Sequence, residues 1–334
     1  MNTRDTQTIR AYRVFEGGKF GLGRFAEMRR EDLDEGNVVV RALHASVNYK
    51  DALTALGKAK VANRFPVSVG IDVCAEVLES ADARFAPGDT VIAHGSGLGA
   101  DHDGGYQEIN RFPGDWLIKL PGGLSPFESM AIGVAGYTTA LSIDLMEHNG
   151  LAPGNGPVLV NGATGGAASI AIDLLSARGY EVVALSGKPE AEPYLRELGA
   201  SRVIDRKTFE FGTRPLEKPM WQGAIDSVGG EQLGWLTRTM QREGVIASFG
   251  NAGGIEFKGS VLPFILRGVR LIGVYANSPI PLRERIWGRL GTDLRPRHLA
   301  RIARPIAFDA LPQVFEDLIA AKVTGRMVVD FSLR

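Results

Sequence analysis

Val158-Leu159-Val160-Asn161-Gly162-Ala163-Thr164-Gly165-Gly166-Ala167-Ala168-Ser169 reads as a strand that runs through a glycine turn into a helix. A bulky side chain in such a turn holds an anion away from the backbone amides. Gly165 and Gly166 remove that obstacle, and the helix N-terminus behind them presents free N–H groups to a phosphate. Thr164 and Ala167 flank the pair. Ala168 takes the slot where a third small residue lets the helix pack on the strand. A glycine turn alone also fits a tight loop with no ligand; one set between a strand and a helix of a βαβ unit points to a dinucleotide.

Working outward, strands and helices alternate. Ala167 to Arg178 is an amphipathic helix, Glu181 to Leu185 a second strand, and Pro193 to Leu198 a helix that Gly199 ends. Gly223–Asp226, Gly244–Ser248 and Val269–Gly273 are further strands. This alternation predicts a parallel sheet covered on both faces. The end of the second strand selects the nucleotide. An acid there binds the ribose hydroxyls of NAD, but the sequence reads Leu185-Ser186-Gly187-Lys188. Ser186 can donate to a phosphate oxygen and Lys188 can neutralise it, which favours NADPH. Arg206 is positioned to flank the same phosphate or stack on the adenine. Against this, Lys188 also reads as a solvated surface lysine, with Glu190 close by.

Before Leu124 the pattern differs. Val38–Leu43, Val67–Leu78 with Gly70 inside it, and Thr90–Ala93 are short apolar runs separated by turns such as Pro87-Gly88-Asp89. They suggest a small barrel-like β domain. Ser125-Pro126-Phe127-Glu128 is a helix start, and Ile306 to Phe331 closes the chain with a helix and a Val-rich strand. The chain has 334 residues, which favours two domains. Lys+Arg and Asp+Glu are both 38, so the charge balance suggests neither a nucleic-acid nor a membrane partner. The single Cys74 excludes an intramolecular disulfide and reads as a packed strand residue. Met1 to Arg10 is polar, with no signal-peptide pattern, and no run is long enough to span a bilayer. A cytoplasmic enzyme acting on a small molecule is the expectation.

The chain resembles the medium-chain dehydrogenase/reductase superfamily, and most closely its acrylyl-CoA reductase and quinone-oxidoreductase-like branch. The resemblance rests on Asn48-Tyr49-Lys50-Asp51-Ala52-Leu53, Phe65-Pro66 with Gly70-Ile71-Asp72, Gly114-Asp115-Trp116-Leu117, Ala135-Gly136-Tyr137-Thr138, Arg214-Pro215-Leu216-Glu217-Lys218 and Pro263-Phe264-Ile265-Leu266-Arg267. It implies an α/β chain with a GroES-like β-barrel catalytic domain and a Rossmann cofactor domain, a doubly wound parallel sheet. The expected boundaries are 1–131 for the first part of the catalytic domain, 132–276 for the Rossmann domain and 277–334 for the return. It also implies a homodimer. Three departures stand out: Ala168 replaces a glycine, Asp103 replaces a tryptophan before Gly104-Gly105, and Val274-Tyr275-Ala276 replaces an Asp-Ser pair.

Zinc members of the superfamily use a histidine beside the glycine of the Gly70 strand; here Ile71 takes that slot, and the cysteine slot falls within Ser46 to Tyr49. A catalytic zinc needs three protein donors, and the five histidines show no paired metal spacing. No metal is therefore expected. Without a Lewis acid, hydride addition to an activated C=C bond or a quinone is easier than alcohol oxidation. The substrate expected is an enone, an enoyl thioester or a quinone. Tyr49 matches the family's nicotinamide-contacting tyrosine, as catalytic hydrogen-bond donor or as cofactor contact. Asp51 reads as a cap of the helix after Tyr49, and Lys50 as either an anion contact or a solvated lysine. Asn251 and Ile265 match positions that line the nicotinamide end, and Ala276 is expected there through its backbone. A quinone reductase is the enzymatic alternative, and a non-catalytic NADPH-binding sensor the alternative of another class.

Overall fold

The computed structural model describes residues 8–333; residues 1–7 of the polar N-terminal stretch lie outside them. Two compact units divide the chain. One holds the residues up to Val134, Asn277–Gly291 and those from Ala303 onward; the other holds Ala135–Ala276 and Thr292–Ile302.

The first unit opens with β1 (Ile9–Phe15), β2 (Leu22–Met28), β3 (Val38–Ser46), α1 (Tyr49–Ala55), β4 (Val67–Ser68), β5 (Asp72–Ser80), β6 (Thr90–His94), β7 (Ile109–Phe112) and β8 (Leu117–Lys119). β2, β1 and β4 form one antiparallel sheet, and β3, β5, β6 and β8 lie side by side in another, with β7 also on β3. Alternate residues point inward: Val38, Val40 and Ala42 of β3 meet Val73, Ala75 and Val77 of β5 in one core. The single strand expected from Val67 to Leu78 is two strands in different sheets. Gly70 sits at φ +105° between them, and a Cβ there would lie 2.8 Å from the backbone nitrogens of Gly105 and Tyr106. Cys74 is buried on β5, and burial pushes its thiol up to about 12.

The helix start at Ser125 is a reciprocal box. Ser125 N–H donates to Glu128 Oε2 (2.8 Å) and Glu128 N–H to Ser125 Oγ (3.2 Å). It opens α2 (Pro126–His148), which breaks at Gly133, where φ is +54°. Then follow β9 (Val158–Asn161), α3 (Gly166–Ala177), β10 (Val182–Ser186), α4 (Glu192–Glu197), β11 (Arg202–Asp205), β12 (Trp221–Asp226), α5 (Gly230–Thr239), β13 (Met240–Ser248), α6 (Leu262–Arg267) and β14 (Arg270–Gly273). They make a six-stranded parallel sheet in the order β11-β10-β9-β12-β13-β14. Strand order reverses between β9 and β12, the switch point at which open α/β sheets bind ligands.

The chain ends with α7 (Ile280–Leu290), α8 (Leu299–Ile302), β15 (Ala303–Ile306), α9 (Leu311–Ile319) and β16 (Arg326–Asp330). β16 pairs antiparallel with β3 and parallel with β15, so the last strands complete the barrel sheet. The return is not continuous, as the 277–334 boundary had it: Thr292–Ile302 packs with the parallel-sheet unit. The fully buried Asp173 of α3 explains the excursion. It accepts the N–H groups of Arg297 (2.8 Å) and His298 (2.9 Å), and meets His298 Nδ1 at 2.9 Å.

Candidate active site

In the parallel-sheet unit the site is built largely from backbone. β9 ends at Asn161, and Gly162 turns the chain at φ +59°; a Cβ there would lie 2.7 Å from Ser227 Oγ and 2.9 Å from Val228 Cγ2. Gly165 caps α3, and Ser169 N–H closes the first helical bond on its carbonyl (2.8 Å). The N–H groups of Gly166 and Ala167 precede any carbonyl of the helix ladder, the position at which helices generally meet anions. Thr164 is buried beside them and Ala168 is fully packed beneath.

Side chains fix the neighbouring strand ends. Asn161 donates from Nδ2 to Asp226 (2.6 Å) and accepts Ser227 N–H (2.7 Å). Asp226 also takes the N–H of Gly229 (2.9 Å) and Ser248 Oγ (2.7 Å). A Cβ on Gly250 would fall 1.9 Å from the Ser227 carbonyl carbon, and one on Gly229 3.4 Å from Asn251 Cα. The Gly162 turn, the Ser227–Gly229 loop and Gly250–Asn251 therefore converge at the ends of β9, β12 and β13. The sequence gives no local sign of the roles of Asn161, Ser227 and Asp226, which follow from strand order.

At the end of β10, Ser186 Oγ accepts Lys188 N–H (3.0 Å) and the Ser186 carbonyl accepts Arg206 N–H (2.7 Å). A Cβ on Gly187 would sit 3.0 Å from Arg206 Nη2, so the guanidinium lies over this glycine. Partial burial pulls the Lys188 ammonium below its usual range, opposed by Glu190. Ser186, Gly187, Lys188 and Arg206 thus meet at the end of β10. Ile265 rides on α6 with its side chain 69 % exposed, and Ala276 follows β14 by three residues.

Tyr49 belongs to the other unit. It is the first residue of α1 and is 40 % exposed. Beneath it lies a buried polar box. Asp51 accepts Asn48 N–H (2.9 Å), Ile71 N–H (3.1 Å) and Tyr106 Oη (3.0 Å). Its capping role is thus joined to two further elements. Asp72 accepts Ser46 Oγ (2.6 Å) and Val134 N–H (2.7 Å). The break at Gly133 permits this: a Cβ there would lie 2.5 Å from Arg326 Nη2 and 2.8 Å from Asp72 Oδ2. Arg326 of β16, also buried, faces both carboxylates. Burial, then Asp72, pushes Asp51 up to about 7. Among the described residues, no three His, Cys, Asp or Glu side chains gather as a metal set. Asp103, in place of the family's tryptophan, turns inward to Arg13 (3.0 Å) and Ser68 N–H (2.7 Å). No helix among the described residues is long and apolar enough to cross a membrane.

Comparison with known proteins agrees with this geometry. Residues 34–122 match the alcohol dehydrogenase GroES-like domain, and residues 166–287 the zinc-binding dehydrogenase family. The Bacillus subtilis protein YhfP, which carries a quinone oxidoreductase name, is 43% identical over 90% of this chain and 92% of its own. A crystal structure of YhfP with NAD bound aligns at a TM-score of 0.94, with 39% identity, over 98% of this chain and 100% of that one. The acrylyl-CoA reductase AcuI of Ruegeria pomeroyi is 40% identical over 90% of this chain and 91% of its own. The yhdH oxidoreductase of Salmonella enterica in complex with NADP aligns at a TM-score of 0.93, with 39% identity, over 96% and 99%. The chain therefore belongs to the zinc-free branch of the medium-chain dehydrogenase/reductase superfamily that holds YhfP and AcuI.

Proposed function

We infer that this chain is a zinc-independent, NADPH-dependent oxidoreductase that reduces an activated C=C bond of an α,β-unsaturated carbonyl, with an acrylyl-CoA-like thioester as the leading substrate class. The observation that carries the reading is the cationic corner of Ser186, Gly187, Lys188 and Arg206 beside the glycine turn. The residues fit the cofactor. Thr164 to Ala167 offer amides and small side chains to the pyrophosphate. Ser186 Oγ and the two cations suit a 2′-phosphate, with Glu190 near Lys188 and Asp205 of β11 beside Ser186 as the acids they must offset. Asn251, Ile265 and the backbone of Ala276 are assigned to the nicotinamide end. Bound NADPH supplies the hydride. Negative charge then develops on the substrate carbonyl oxygen, and the Tyr49 hydroxyl is the donor assigned to it. A proton from water or a side chain completes the reduction at the α carbon.

A quinone reductase is the second reading, supported by the name of YhfP. An acceptor panel of acrylyl-CoA, crotonyl-CoA, simple enones and quinones, followed at the NADPH absorbance, tests both. Turnover of alcohols alone, or one tightly bound zinc per chain by elemental analysis, would remove the assignment.

A homodimer is also proposed. β14 is an edge strand, and Val261, Ile265, Leu266 and Tyr275 beside it are exposed apolar side chains. Sedimentation as a monomer at micromolar concentration would exclude it. The cytoplasm is the assigned compartment, in keeping with a reductase whose single cysteine is buried.

A further inference from the structure

Asp51 does not face the substrate in this mechanism, yet four donors converge on it. Asn48 N–H, Asn48 Nδ2 (3.1 Å) and Tyr106 Oη meet Oδ2, and Ile71 N–H meets Oδ1. These contacts tie the start of α1 to the head of β5 and to the loop before β7. The helix has only seven residues, too few to hold its own shape, so its first turn depends on this carboxylate as well as on the packing of Ala52 and Ala55 in the core. Tyr49 is the first residue of that turn.

Tyr106 gives the arrangement two states. Its hydroxyl lies 2.8 Å from the Ser46 carbonyl and 3.0 Å from Asp51 Oδ2, and it has one proton to donate. With Asp51 ionised, all four donors find an acceptor. With Asp51 protonated on Oδ2, the new O–H donates to Tyr106 Oη, and Tyr106 turns its own proton to Ser46. Oδ2 then accepts the Asn48 donors more weakly, and the cap of α1 loosens. The charged groups facing Asp51 are Asp72 from β5 and Arg326 from β16, with Tyr106 from the loop. Burial raises Asp72 too, but the Arg326 charge, Ser46 Oγ and Val134 N–H all oppose that rise. Asp51 is left to exchange its proton, and its rise to about 7 agrees with that difference.

We propose that Asp51 is a positioning residue that acts through Tyr49: ionised, it fixes the first turn of α1 and so the phenol; protonated, it releases both. The proposal rests on the role assigned to Tyr49 above. The test is a double-mutant cycle on the full chain with saturating NADPH and the best acceptor of the panel. Asp51→Asn should lower kcat about tenfold and abolish the rise of kcat with pH through about 7 expected of the wild type. In a Tyr49→Phe background the same substitution should change kcat less than twofold, since the group it positions is gone. Tyr106→Phe removes one donor that stabilises the ionised form and leaves α1 intact, so it should move the pH break upward. This second variant decides the matter if Asp51→Asn does not fold. Independent, multiplicative effects of Asp51→Asn and Tyr49→Phe would overturn the proposal and leave Tyr49 in place. So would a pH profile that Tyr106→Phe does not move. A Tyr49→Phe enzyme with wild-type kcat and NADPH affinity would instead overturn the assignment of Tyr49, and the proposal with it.

Discussion

The two regions assigned to function, one half in each unit, are made of different material. Around the Gly162 turn, backbone does the work: the first amides of α3 lie outside its hydrogen-bond ladder, and glycines let three strand ends approach within contact distance. Around Tyr49, side chains do it: two buried carboxylates, a buried guanidinium and a phenol hold one short helix in place. The backbone half is intolerant of added volume and indifferent to pH. The side-chain half keeps its volume under isosteric change but responds to a single proton.

Gly250→Ala should show the first property at its strongest. The new Cβ would fall 1.9 Å from one backbone carbon and 2.0 Å from a backbone oxygen of Ser227, neither of which can swing aside. We expect a loss on the order of 4 kcal/mol in urea unfolding, or failure to fold, because overpacking against main chain is relieved only by moving a strand. A variant of wild-type stability would show that the β12 and β13 ends are not packed as described.

The side-chain half should instead give a pH effect. Asp51 has its folded pKa raised from the ordinary carboxylate value to about 7. The folded state then holds this proton more tightly than the unfolded chain. The resulting stability is complete below the ordinary carboxylate range and is lost as pH rises through about 7. At roughly 1.4 kcal/mol per unit, the contribution is on the order of 4 kcal/mol. His94 works the other way: burial drives its pKa down to about 3, so its penalty grows as pH falls. The difference between wild type and Asp51→Asn cancels the His94 contribution. That difference should decline between pH 5 and pH 8 in urea melts; a difference that grows with pH would break the contrast between the two halves.

Lys188→Glu probes the one corner where the backbone half relies on charge. Loss of a charge-assisted contact to the 2′-phosphate, with repulsion added, should cost NADPH roughly 1.5–3 kcal/mol, about ten- to a hundredfold in Kd, and spare NADH. The comparison matters because YhfP was crystallised with NAD and the Salmonella oxidoreductase with NADP. A mutant that keeps the wild-type NADPH preference by fluorescence titration would take Lys188 out of the corner.

The same division explains what the sequence discloses. The Gly162 turn and Ser186–Lys188 are contiguous, and their physics is local, so both are legible before folding. Arg326 lies more than 250 residues from Asp72, and only the pairing of β16 with β3 brings them into one box. Asn161, Asp226 and Ser227 meet because β9 and β12 are neighbours in the sheet, an outcome of strand order. Thr292–Ile302 carries no signal of its excursion; the buried carboxylate that captures it sits on α3. Gly70 was visible as a glycine within an apolar run, but its role as a break needed the loop at Gly105 that packs against it.

The smallest effect sharpens the comparison most. At Gly187 an added Cβ would meet the end of the exposed Arg206 side chain at 3.0 Å, not main chain. A guanidinium on a flexible stem moves by a few tenths of an ångström at little expense. Gly187→Ala should therefore stay within about 0.5 kcal/mol of the wild type in urea unfolding, in contrast to Gly250→Ala. The displaced guanidinium is the one assigned to the 2′-phosphate, so NADPH affinity should fall by about 0.5–1 kcal/mol, a factor of roughly two to five. NADH, which lacks the phosphate, should bind as before. Removing the side chain separately, as Arg206→Ala, should produce the same selective loss and leave Gly187→Ala with nothing further to displace. If Gly187→Ala weakens both cofactors equally, the glycine is there for close backbone approach to the nucleotide itself, and this corner belongs with the backbone-built turn beside it.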